Sequence, residues 1–105
     1  MSVIMTMWVQ GDPAKLEEYA AQNQETMRGI ADRAKEQGLI AHRFYGSDGQ
    51  ILIVDEWPDQ ESFERFFEQE RSQIDPIMQA AGVSSEPRSA FWRKLETGDD
   101  VGWSG

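Results

Sequence analysis

Apolar residues alternate from Ser2 to Gln10, with Val3, Met5, Met7 and Val9 on one side and Ile4 and Trp8 on the other. That period of two predicts a β-strand. Gly11, Asp12 and Pro13 end it with turn chemistry. The period then changes: Leu16, Tyr19, Ala20, Met27, Ile30, Ala31 and Ala34 recur at helical spacing. Asp12 is placed to cap this helix and Pro13 to open it, because a first-turn residue needs no free N–H. Gly38 closes it. About 25 residues of helix would span roughly 37 Å, longer than the strands beneath, so a bend is expected near Gly29.

Leu39 to Trp57 reads as a hairpin around Asp48-Gly49, a dipeptide suited to a tight two-residue turn. A two-residue loop sets the register: Ser47 opposite Gln50, Phe44 opposite Ile53, His42 opposite Asp55 and Ile40 opposite Trp57. Asp59 then caps a second helix with an inner face of Phe63, Phe66 and Phe67, continuing through Ile74, Ile77 and Met78. The Asp75-Pro76 step is expected to interrupt it. A last strand is expected over Arg88 to Leu95. Residues 1–95 form one domain on this reading, and 96–105 an acidic, flexible tail whose one apolar landmark is Trp103.

The order β-α-β-β-α-β predicts an α+β, ferredoxin-like architecture, a four-stranded antiparallel sheet with two helices on one face. Both faces of the first and third strands are apolar, since Ile51 and Ile53 alternate with Leu52 and Val54. Two helices cover one face only. The other would be a large bare apolar patch, and a second copy of the same sheet covers it most simply. A homodimer, closing into a dimeric α/β barrel, is therefore expected.

Charge narrows the range of partners. The 105 residues carry 10 Lys and Arg against 19 Asp and Glu, for a net charge of −9. The excess lies between Asp55 and Asp75 and in Glu96, Asp99 and Asp100. Such a surface repels phosphate backbones, and no basic stripe suits nucleic acid or anionic lipid. There are no cysteines, which removes disulfides and thiolate chemistry. With neither a signal peptide nor a membrane-length apolar run, a cytoplasmic location is expected. One His without Cys does not make a metal centre, and no phosphate-binding glycine motif supports nucleotide chemistry.

His42 is the one side chain whose ordinary pKa lies near neutrality. Opposite Asp55, its tautomer would be fixed and its basicity raised, as a general base requires. The same pair also reads as two half-buried polar groups that satisfy each other across a hairpin. Trp8, Phe44, Tyr45, Trp57, Phe66 and Trp92 are candidates for holding a flat aromatic ligand, though core and dimer packing account for such residues equally. Arg43 and Glu56, diagonal on the opposite face, are expected to form an ion pair.

The segment HRFYGSDGQILIVDEWPDQESFERFF, a hairpin whose third strand ends in acid-x-Trp and enters a Phe-rich helix, resembles dimeric α/β-barrel proteins of the antibiotic biosynthesis monooxygenase type. The resemblance covers about residues 3 to 95 in element order and is sharpest at the third strand and the helix after it. It implies a barrel dimer that binds aromatic substrates between sheet and helices. The implied activity is a monooxygenase without cofactor, acting on a phenolic, quinol or polyketide-like aromatic, with His42 as base and Asp55 orienting it. The alternative is a small-molecule-binding or regulatory module without turnover. Haem-degrading members use an Asn on the first strand and a Trp and a His on the second helix. Here that strand has no Asn, Phe66 stands where the Trp is expected and Pro76 lies near the expected His.

Overall fold

The computed structural model describes residues 1–102; the tail residue Trp103 lies outside them. Seven elements follow in order: β1 (Val3–Gln10), α1 (Pro13–Gln22), α2 (Gln24–Glu36), β2 (Ala41–Ser47), β3 (Gln50–Trp57), α3 (Gln60–Ala80) and β4 (Arg88–Trp92). The four strands form one antiparallel sheet in the order β2-β3-β1-β4. With the helices on one face, this is the ferredoxin-like arrangement. Among the described residues no helix is long and apolar enough to cross a membrane.

Local chemistry explains the boundaries. The Asp12 carboxylate accepts from the amides of Ala14 and Lys15, and Pro13 opens α1. The first helical segment breaks at Asn23 rather than near Gly29. Asn23 leaves helical geometry at φ −132°, and its Nδ2 donates to the Tyr19 carbonyl at 2.9 Å. An Asn side chain competes in this way for backbone groups, whereas an isolated glycine only weakens a helix. Gly38, at φ +112°, ends α2. Its amide bonds the Lys35 carbonyl while the Leu39 amide reaches back to Ala34, the paired bonds of a Schellman cap.

The hairpin register is the expected one at Ser47–Gln50, Phe44–Ile53 and His42–Asp55. The ladder stops at Ala41, so the expected Ile40–Trp57 pair lies beyond it; the Ile40 amide still donates to the Glu56 carbonyl. Asp59 caps α3 through the Ser62 amide at 2.8 Å, and hydrogen bonding from Ser62 holds its carboxyl below the ordinary range. Contrary to expectation, α3 runs unbroken through Pro76. Pro76, Asp75 and Ser72 are all exposed, so the Ser72 carbonyl that loses its partner faces water, while Ile74 and Ile77 hold the helix to the sheet. β4 ends at Trp92, three residues short of the expected strand.

The sheet face under the helices carries Met5, Met7, Ile53 and Trp57, packed with Ala34, Phe63 and Phe66. Beside them Val9, Leu16, Ile51, Ile77 and Ala81 form a second cluster. Each such large side chain, once buried, contributes about 1.5–3 kcal/mol. Across the helices, Arg33 Nε and Nη2 both reach the Glu70 carboxylate at 2.9 Å, tying α2 to α3. The opposite sheet face carries Ile4, Trp8, Leu52, Val54 and Trp92. The indoles there are satisfied locally, Trp8 donating to Gln50 at 2.7 Å and Trp92 to Thr6 at 2.8 Å. The expected Arg43–Glu56 ion pair is not formed: Arg43 donates to the Tyr45 hydroxyl, and Glu56 accepts from Ser2. One residue of β2 separates Arg43 from the position opposite Glu56, and the nearer hydroxyl takes the guanidinium.

Candidate active site

Between the sheet and helices α2 and α3 lies a cavity of about 100 Å3. Strand alternation builds its floor, because Met5, Met7, Ile53, Asp55 and Trp57 share the helix-facing side of β1 and β3, with His42 and Phe44 beside them on β2. Its walls are apolar except at His42 and Asp55, and no Lys or Arg lines it.

These two residues form the chemical centre. His42 Nδ1 lies 2.6 Å from Asp55 Oδ1, and the indole of Trp57 donates to Asp55 Oδ2 at 3.1 Å. Each carboxylate oxygen thus has one partner, and the group is fixed from both sides. A carboxylate accepts, so the proton belongs on Nδ1 of the neutral imidazole, and Nε2 is left as the acceptor. The His42 ring packs edge-on against Phe44 at 4.9 Å. Its side chain is 34% exposed while that of Asp55 is 7% exposed, so the imidazole links a buried anion to the mouth of the cavity at the β2 edge.

Of the aromatics singled out in the sequence, Phe44, Trp57 and Phe66 meet at the cavity, with Trp57 and Phe66 at 5.4 Å between centroids. Trp8, Tyr45 and Trp92 do not join them, because their register puts them on the opposite sheet face. Unanticipated lining comes from four of the five methionines, Met5, Met7, Met27 and Met78, and from Phe63 and Phe67. The signal for Met5 and Met7 was present in their alternation with Ile4 and Trp8; that for Met27 was its helical spacing. Among the described residues no group of three His, Cys, Asp or Glu side chains is placed to hold a metal ion.

No protein-family model matches the chain, and no curated protein sequence matches it. Solved structures do match in fold. One is a monooxygenase, ActVA-Orf6 of Streptomyces coelicolor, in complex with nanaomycin D, at a TM-score of 0.65 and 12% identity, covering 91% of this chain and 88% of that one. A second is SnoaB, a cofactor-independent oxygenase from Streptomyces nogalater, at 0.58 and 17% identity, covering 94% and 97%. A third is a dimeric ferredoxin-like protein from an uncultured marine organism, at 0.63 and 13% identity, covering 90% and 89%. The fold is therefore that of ferredoxin-like proteins of the antibiotic biosynthesis monooxygenase type.

Proposed function

We propose that this chain is a cofactor-independent monooxygenase acting on a phenolic, quinol or polyketide-like aromatic, and that it works as a homodimer joined through the open sheet face. The observation that carries the reading is a single oriented base, His42 on Asp55 at 2.6 Å, in the wall of an otherwise apolar cavity. Such a site suits a substrate that brings its own reducing power. His42 Nε2 removes the acidic proton, and the resulting anion, kept from water by apolar walls, gives an electron to O2. For an anthrone-type substrate, recombination of the substrate radical with superoxide forms a C–O bond and a peroxide anion, which takes a proton from the imidazolium to become the hydroperoxide. Loss of water then leaves a carbonyl. One oxygen atom of O2 enters the product, and the other leaves as water with the two hydrogens of the former methylene. Asp55 steadies the imidazolium, and Trp57 holds Asp55. The similarity to SnoaB and to the ligand-bound monooxygenase supports this chemistry. Oxygen uptake with a panel of anthrones and quinols tests it. Uptake that falls at least about 100-fold in His42→Ala supports the mechanism; turnover at full rate in that variant removes it. Tight binding without uptake would identify a binding module.

A further inference from the structure

The inner cavity, about 100 Å3, is small for a ligand site. Small-molecule pockets usually enclose about 300–1,000 Å3, and an apolar cavity of about 150 Å3 takes a single benzene ring. As it stands the cavity is thus smaller than one ring needs, and at most a single ring enters beside His42, as flexible lining side chains such as Met27 give way. A second groove, about 480 Å3, lies between the start of α1 and the β2 edge. The two spaces share two residues, Met27 and Phe44. Both are half-buried. Met27 is unbranched, and its thioether can swing between rotamers at little cost, so this partition is a movable one. Gly46 closes one end of the groove: a Cβ there would come within 2.8 Å of Pro13, and its absence lets α1 rest directly on β2. The remaining wall is mainly apolar, from Leu16, Ala20 and Ile51, with Glu17 at the rim and no Lys or Arg.

We propose that this groove is a second subsite, which holds the distal part of a fused aromatic substrate whose reacting phenolic ring sits beside His42, with Met27 as the gate between them. The proposal rests on the reading of the inner cavity as a phenol site. The charge of the two spaces sets the preference. Among the described residues, the acidic or basic side chains that line them, beside the Tyr45 phenol in the groove, are His42, Asp55 and Glu17, so a distal hydroxyl is accepted and a distal carboxylate repelled.

Titrations of the full chain with phenol, 2-naphthol and 6-hydroxy-2-naphthoic acid test this. In the wild type, 2-naphthol should bind about tenfold or more tighter than phenol, since its second ring buries further apolar surface, and the carboxylated analogue should lose that gain. Ala20→Trp fills the groove from α1, and Glu17→Trp, at an exposed position on its rim, covers it should the first variant not fold. Either should weaken 2-naphthol about tenfold and leave phenol within about twofold. Glu17→Gln should recover part of the affinity for the carboxylated analogue. Naphthol affinity unchanged by a folded groove-filling variant would overturn the subsite, as would equal losses for phenol and naphthol. Naphthol binding that is sensitive to Ala20→Trp, with no phenol binding, would sink the inner-cavity reading alone. No binding of either ligand would sink both.

Discussion

Replacing Trp57 with Phe isolates the bond that holds the candidate base in place. Trp57 is fully buried at 0% exposure, and its indole N–H is 3.1 Å from Asp55 Oδ2. Phe keeps the first ring and its contacts with Phe63 and Phe66 but deletes the donor. A hydrogen bond to a charged group contributes about 1.5–3 kcal/mol, and the space left by the lost part of the indole adds on the order of 1 kcal/mol. The total, about 2.5–4 kcal/mol, is a large share of the 5–15 kcal/mol or so that stabilises a typical domain. It corresponds to a fall in Tm on the order of 10–30 °C for a chain of this size. Urea unfolding followed by far-ultraviolet circular dichroism reads the change without relying on the deleted fluorophore. A double-mutant cycle with Asp55→Leu separates packing from hydrogen bonding, because the packing cost is common to both backgrounds. The expected coupling is about 1.5–3 kcal/mol. A coupling below about 0.5 kcal/mol would show that Trp57 fills space beside Asp55 without holding it.

Other outcomes follow from the same geometry. Light scattering after size exclusion should give about twice 12.0 kDa. Val54→Arg, which sets a charge on the open sheet face directly opposite Arg43 in the register, should return the monomer, and a wild-type monomer at micromolar concentration would refute the sheet-to-sheet dimer. Asp59→Ala should lower the Tm at neutral pH. Because the Asp59 carboxyl is held below its ordinary value by Ser62, its stabilising effect is present above the unfolded-state pKa and is lost as pH falls through the folded one. The gap in Tm between variant and wild type should therefore narrow below about pH 4; a gap constant down to pH 2 would contradict this.

Much of this molecule was legible in the residue pattern because strands and caps obey local rules. Asp48-Gly49 set the hairpin register, and with it the meeting of His42 and Asp55. Alternation correctly put Met5 and Met7 on one face and Ile4 and Trp8 on the other. The helix breaks were misread because they depend on competition. Asn23, outwardly an ordinary polar residue, captures the Tyr19 carbonyl, while Pro76 is tolerated because the carbonyl it orphans faces water. Three of the six aromatics lie away from the inner cavity for a similar reason. Trp8, Tyr45 and Trp92 suit either face by composition, and period two alone assigns their side once the register of the neighbouring strands is known. The groove beside α1 had no sequence signal, since it arises from the contact of Gly46 with Pro13 across 33 residues.

Transfer of a phenolic proton to His42 is the step on which the functional reading depends, and a chromogenic phenol reports it without turnover. Bound to the wild type well below the pH at which it ionises in water, 4-nitrophenol should show the phenolate absorption band in proportion to occupancy, as His42 on Asp55 accepts its proton. His42→Ala should still bind the ring but give the spectrum of the neutral phenol. A neutral spectrum in the wild type at saturation, or a phenolate band that survives in His42→Ala, would contradict the assignment of His42 as the base.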